Sequence, residues 1–185
     1  MKNIILIGAS RAGKSTFTRM LGKKLDNLMI IQTDLLRLAF REAVIEDLNT
    51  STSNLKNNPL YRNFVLSYYK FLDIYEVNYI KVIDTVDFEP KDKELFNNAL
   101  VLCFGYLDIS EEEVLKNFRK YDTDLDWTKK KNDNELLAFI HDEVQYSKYL
   151  KGECQKYGIK FVNTSFDRMK NLEETLDYII KNIAN

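Results

Sequence analysis

Only two of the 185 residues are cysteine, Cys103 and Cys154, and they form neither a C-x-x-C pair nor a metal-ligand cluster. That excludes a disulfide framework and a zinc-ribbon type of site, and is consistent with free thiols in a reducing compartment. An excess of charge of one sign is also missing. Lys and Arg number 27 against 28 Asp and Glu, and the net charge is -1, so the chain has no global electrostatic footprint for DNA or RNA. No apolar run approaches the roughly 18 residues that a membrane span requires. The apolar run at the N-terminus is too short for the hydrophobic region of a secretory leader. These absences predict a soluble cytoplasmic protein with no nucleic-acid or membrane partner. No internal repeat or inter-domain linker interrupts the sequence, so residues 1–185, 45% of them hydrophobic, are expected to form one domain with a substantial core.

Strand and helix patterns alternate along the chain, which points to an α/β fold with a mostly parallel sheet. Strands are predicted at 3–7, 28–32, 79–88 (with its exit), 99–106 and 159–165. Helices are predicted at 14–25, 34–48, 59–75 and 110–121, then a long one ending near Tyr157 and a last one at 168–183. Ser110 and Glu113 have capping-box spacing at the start of their helix. The polar stretch 49–58 reads as a mobile loop and 122–133 as a charged connection. The aromatics Tyr61, Phe64, Tyr68, Tyr69, Phe71 and Tyr75 include a helical stripe at 64, 68, 71 and 75, read as core packing with a stacking platform as the alternative.

Between the first strand and its helix stands Gly8-Ala9-Ser10-Arg11-Ala12-Gly13-Lys14-Ser15, which matches G-x-x-x-x-G-K-[ST], the phosphate-binding P-loop. Its glycines permit a tight loop whose backbone N–H groups turn inward on phosphate oxygens. The loop feeds a helix N-terminus, where unpaired N–H groups and the macrodipole favour anions. Lys14 adds a mobile positive charge, the Ser15 hydroxyl can ligate Mg²⁺, and Thr16 can hold an α-phosphate oxygen. Gly8, Ser10, Arg11, Ala12, Gly13, Lys14, Ser15 and Thr16 are therefore the expected nucleotide-binding residues, with ATP and Mg²⁺ as cofactors. The N-K-x-D and D-x-x-G motifs of GTPases are absent, as is the L-S-G-G-Q of transport ATPases.

With "TDLLR" at 33–37, five predicted strands and a charged segment at 119–133 in the place of a lid, the chain resembles the small P-loop kinases. These include the adenylate, gluconate and shikimate kinases and the kinase domain of phage polynucleotide kinase. The resemblance implies a five-stranded parallel sheet of order 2-3-1-4-5 with helices on both faces. It also implies a helical acceptor segment at 34–78, a short lid at 119–133, ATP as donor, and transfer of the γ-phosphoryl group to a small-molecule acceptor that bears a hydroxyl or phosphate and is nucleoside-, nucleotide- or sugar-like. It departs from adenylate kinase at 84–90, where the glycine and arginine of D-G-[FY]-P-R are missing, so the acceptor stays open. A nucleotide-dependent regulatory ATPase and a kinase acting on a nucleic-acid end are the alternatives.

Asp34 lies 20 residues after Lys14 and Arg37 one helical turn further, so both side chains can face one site. Polynucleotide kinase implies Asp34 as the base that takes the acceptor's proton and Arg37 as a grip on an acceptor anion. Adenylate kinase implies Arg37 alone as a phosphate clamp, and an N-capping role for Asp34 is the structural alternative. Asp84, at a strand end, is the expected Mg²⁺ carboxylate beside Ser15. Arg119 is expected to supply the lid cation that stabilises the transferring phosphoryl group. Arg62 and Asp87 are weaker candidates for contacting the acceptor. His141 is expected at the surface, and Asn163, Thr164 and Ser165 occupy the place where related kinases contact adenine. No role is assigned to Trp127.

Overall fold

The computed structural model describes residues 3–44, 55, 58–75, 78–96, 99–124 and 126–183. The run of isoleucines at its start forms the middle of a sheet because both faces of that strand are covered. In β1 (Asn3–Gly8) Ile4 and Leu6 point into one apolar cluster while Ile5 and Ile7 point into another. All four are buried, each contributing on the order of 1.5–3 kcal/mol. Strands β2 (Leu28–Gln32), β3 (Ile80–Asp84), β4 (Ala99–Gly105) and β5 (Lys160–Asn163) complete a sheet of order β2-β3-β1-β4-β5. Every pairing is parallel, so the crossovers are helical and pack on the faces.

The helices are α1 (Lys14–Lys24), α2 (Thr33–Val44), α3 (Pro59–Ile74), α4 (Glu111–Tyr121), α5 (Asp133–Tyr157) and α6 (Arg168–Ile183). Phe17 and Leu21 of α1, Val114 and Phe118 of α4, Leu136 and Ile140 of α5, and Leu172 and Ile179 of α6 share the cluster with Ile4 and Leu6. Phe40 of α2, Tyr61, Val65 and Tyr69 of α3, and Leu150 and Cys154 of α5 share the one with Ile5 and Ile7. Cys103 and Cys154 are both buried and unoxidised. α5 is long enough to serve both clusters. Its start is fixed by a reciprocal Asn132–Glu135 capping box and its end by Gly158 in the left-handed region. No helix among the described residues is long and apolar enough to cross a membrane.

Three local expectations change. The buried face of α3 is Tyr61, Val65, Tyr69 and Leu72, whereas Phe64, Phe71 and Tyr75 are exposed. The helix is set about one residue away from the 64-68-71-75 stripe because Asn58 and Pro59 define its first turn and aim Tyr61 inward. At α4, the Ser110 hydroxyl accepts from the Glu113 N–H, but the Glu113 carboxylate pairs with Lys116 at 2.7 Å, so only half of the capping box forms. Of the polar stretch 49–58, residues 49–54 and 56–57 lie outside the described residues, while Leu55 is buried in the core and Asn58 caps α3.

Candidate active site

The strand order reverses around β1, with β3 on one side and β4 on the other, which opens a crevice at the C-terminal ends of the strands. The 8–15 loop lies there. Gly8 has φ +124°, and a Cβ at that position would come 2.0 Å from the Phe104 carbonyl oxygen. Only glycine lets β1 turn this close against β4, where the Ala9 N–H donates to the same carbonyl at 2.9 Å. Arg11 also has positive φ, 61°, unusual for a residue with a side chain, and the conformation is held from both ends. Before it, the Ser10 N–H donates to the Glu143 carboxylate at 2.6 Å and the Tyr106 hydroxyl donates to the Ser10 carbonyl at 3.0 Å. Beyond it, the Arg11 guanidinium bridges Asp122, at 2.5 Å, and Asp126.

Lys14 is buried, and its Nζ donates back to the Gly8 and Ala9 carbonyls at 3.1 and 2.8 Å. The ammonium is thereby curled over the loop whose N–H groups it supplements. The Ser15 hydroxyl donates to Asp84 Oδ2 at 2.8 Å. Burial raises the Asp84 pKa, opposed by Lys14 and by the Ser15 hydrogen bond, while Asp34 adds to the rise. A hydroxyl and a carboxylate side by side, both hard oxygen donors, fit Mg²⁺, which needs few protein ligands when phosphates supply the others. Among the described residues no cluster of three or more His, Cys, Asp or Glu could hold a metal without such help.

Ser10, Arg11 and residues 13–16 line a cleft of about 530 Å³ together with Arg19, Asp34, Arg37, Leu38, 84–86, Tyr121, Thr123, Asp126, Trp127 and Arg168. Asp34 sits in the first turn of α2 with its side chain 73% exposed, 3.5 Å from Arg37. It makes no N-capping hydrogen bond among the described residues, because the helix already begins at Thr33. Arg37 is less free. Its Nη2 donates to Asp87 at 2.6 Å, and the Tyr61 hydroxyl donates to the other Asp87 oxygen at 3.0 Å. Burial disfavours the charge on Arg37, but Asp87 more than offsets it, with Tyr61 adding, and the Arg37 pKa is raised.

Two candidates face away from the cleft. Asp87 is buried and accepts from Arg37, Tyr61 and Thr85, so it anchors the site's arginine and does not line the cleft. Arg62 donates to the Asp87 carbonyl and to Asp92 at 2.5 Å and lies over the Phe88 ring, tying α3 to the 87–92 turn. Arg119 is a third departure. Its guanidinium donates to the Thr128 and Lys131 carbonyls and to Asp133, at 3.0, 2.7 and 2.7 Å, and it does not line the cleft. It braces the 122–132 connection from behind. His141 is exposed, 2.6 Å from Glu111. Asn163 and Ser165 fasten the neighbouring loop by accepting from the Leu107 N–H.

The cation that the sequence reading missed is Arg168. It opens α6, lies 4.7 Å over the Tyr121 ring, and approaches Thr16 Oγ1 at 3.4 Å. A Cβ on Gly13 would meet it at 3.1 Å. No carboxylate among the described residues pairs with it. Burial, and then the nearby Arg11 and Arg19, push its pKa down, against Tyr106 and Tyr121. A signal was available in the sequence: arginine in the first turn of a helix opposes the macrodipole, so its presence there called for an anion.

No protein-family model matches the chain, and no curated protein matches it in sequence. Solved structures do match. Shikimate kinase from Bacteroides thetaiotaomicron superposes with a TM-score of 0.62 at 15% identity, over 100% of this chain and 99% of its own. The tunicamycin resistance protein of Deinococcus radiodurans superposes with a TM-score of 0.60 at 11% identity, over 97% and 96%. The fold is that of the small P-loop kinases. In this chain the connection after α4 faces the 8–15 loop with two carboxylates, Asp122 and Asp126, both paired with Arg11.

Proposed function

We propose that the protein is an ATP-dependent kinase that moves the γ-phosphoryl group to the hydroxyl of a small molecule in the cytoplasm. The observation that carries this reading is the exposed Asp34 carboxylate in the same cleft as Lys14, Ser15 and Asp84. A nucleotide-binding switch has no need of a solvent-facing carboxylate across from its phosphate loop, whereas a hydroxyl acceptor needs one to take its proton.

The loop N–H groups, Lys14, Thr16 and Arg168 hold the triphosphate. Ser15 and Asp84 would hold Mg²⁺, which when bound supplies positive charge to the β and γ oxygens. The acceptor oxygen attacks the γ phosphorus, the bond to the β–γ bridging oxygen breaks, ADP leaves, and the hydroxyl proton passes to Asp34. Arg37 holds Asp34 in line from 3.5 Å. Residues 34–78 act as the acceptor segment, and the 122–132 connection excludes water from the transfer. Near-neutral charge on the chain argues against a nucleic-acid substrate. ADP formation measured with ATP and Mg²⁺ across a panel of hydroxyl compounds tests the proposal. A large rise with particular panel members is expected, and turnover that no acceptor changes contradicts it.

A further inference from the structure

We infer that the acceptor is an alcohol carrying no anionic group, an inference that rests on the phosphoryl-transfer reading above. It follows from how charge is divided across the cleft. On the donor side, Lys14, Arg19 and Arg168 have no carboxylate partner within ion-pairing distance among the described residues. Arg19 donates to the Ser15 carbonyl at 3.3 Å, Lys14 donates to two backbone carbonyls, and Arg168 touches a hydroxyl and an aromatic ring. That side is built for a polyanion.

The acceptor side is the opposite. Its one cation lining the cleft among the described residues, Arg37, is engaged by the buried Asp87 at 2.6 Å and by Asp34 at 3.5 Å. Two carboxylates against one guanidinium leave this side with an excess of negative charge. Arg62, which could have added a second cation, is spent on Asp92 and the Asp87 carbonyl and faces elsewhere. A phosphate or carboxylate approaching Arg37 from the cleft would meet the exposed Asp34 carboxylate, 3.5 Å from the guanidinium, and a cation whose charge the buried Asp87 already offsets from behind. Asp87 cannot swing away to release Arg37, because Tyr61 and Thr85 hold its second oxygen. The rest of the lining on this side, Leu38 and Val86, offers apolar contact, and the exposed Asp34 carboxylate can accept from hydroxyl groups. Such a surface suits a neutral polyol, a nucleoside or an amino alcohol. It does not suit a nucleoside monophosphate or a hydroxy acid.

The test fills the donor side first. With a saturating non-hydrolysable ATP analogue and Mg²⁺, inorganic phosphate and a small carboxylate are titrated into the protein while heat and the fluorescence of Trp127, the only tryptophan, are followed. No saturable anion binding is expected in the millimolar range. In parallel, ADP formation is compared for matched pairs: a nucleoside and its 5′-monophosphate, a hexose and the corresponding hexonate, an amino alcohol and the corresponding hydroxy acid. In any pair that is turned over, the member without the anion is expected to be at least tenfold faster. Saturable anion binding that disappears in Arg37→Ala, or faster turnover of an anionic member, overturns the inference and leaves the kinase reading standing. Failure of the ATP analogue itself to bind overturns the kinase reading, and this inference with it.

Discussion

Arg168→Ala isolates the cation that the sequence motif does not include. A unit charge about 4 Å from a phosphate oxygen is worth about 4 kcal/mol at an effective dielectric near 20. A hydrogen bond to a charged group nets about 1.5–3 kcal/mol once desolvation is counted, which corresponds to a Kd for ATP raised roughly 10- to 100-fold. Ligand-free stability should barely move. Removing the charge relieves repulsion from Arg11 and Arg19 but gives up the contact with Tyr121, about 0.5–1 kcal/mol. These effects oppose one another, and the net change in Tm should stay within about 3 °C for a chain of this size. Thermal shift with ATP reads both quantities. At a concentration 100 times the wild-type Kd, ATP stabilises the wild type by about 2.7 kcal/mol, or about 5–11 °C, and the variant by about 0.4–1.4 kcal/mol, or about 1–6 °C. Arg168→Lys should recover part of the difference, since it keeps the charge but loses the planar fork. An unchanged ATP shift in the alanine variant would refute the assignment. A ligand-free Tm lowered by more than about 8 °C would show that Arg168 is structural.

Asp34→Asn should lower turnover by roughly 10²–10⁴ while leaving ATP affinity intact, because it removes a base and little else. A fall of only a few-fold would move the reading to an acceptor with no proton to lose. Asp84→Asn separates stability from function. Burial holds the Asp84 pKa above its unfolded value, so its charge weakens the fold at neutral pH. That cost is absent below the unfolded pKa and grows as pH rises through the folded one. The variant is therefore expected to melt higher at pH 7 without ligand, with turnover down on the order of 10²-fold or more; a lower Tm would contradict the sign. Arg119→Ala should speed hydrogen exchange across 122–132 and change turnover by less than about tenfold, whereas a direct role on the phosphoryl group would cost about 10²–10³.

The architecture was legible because its signals are local. Four apolar residues followed by a glycine loop and an amphipathic helix define β1, the phosphate loop and α1, and alternating strand and helix patterns define the rest. That Asp34 and Arg37 stand side by side in one cleft was legible for the same reason, since they are one helical turn apart. What sequence spacing could not supply is which partner claims each charge. Arg37 and Asp87 are 50 residues apart, and only the packing of α3 against the 85–88 turn reveals that Asp87 holds Arg37 and Tyr61 together. Arg119 looked like a lid cation by position, but three acceptors from the 128–133 segment surround its guanidinium. Arg11, counted for its backbone, turned out to tie the 8–15 loop to the connection after α4 through Asp122 and Asp126. The α3 stripe failed because five aromatics on one helix, with Tyr75 just past its end, give overlapping periodicities, and the register was decided by the cap at Asn58.

The central claim is that this cleft transfers a phosphoryl group. Incubation with ATP labelled at the γ phosphorus, Mg²⁺ and the acceptor panel, followed by separation of labelled products, measures it directly. Label covalently attached to an alcohol is predicted for the wild type. In Lys14→Ala it should fall by at least 10²-fold while the ligand-free Tm stays near wild type. Label recovered only as free phosphate or unreacted ATP, or transfer that persists unchanged in Lys14→Ala, would contradict the account.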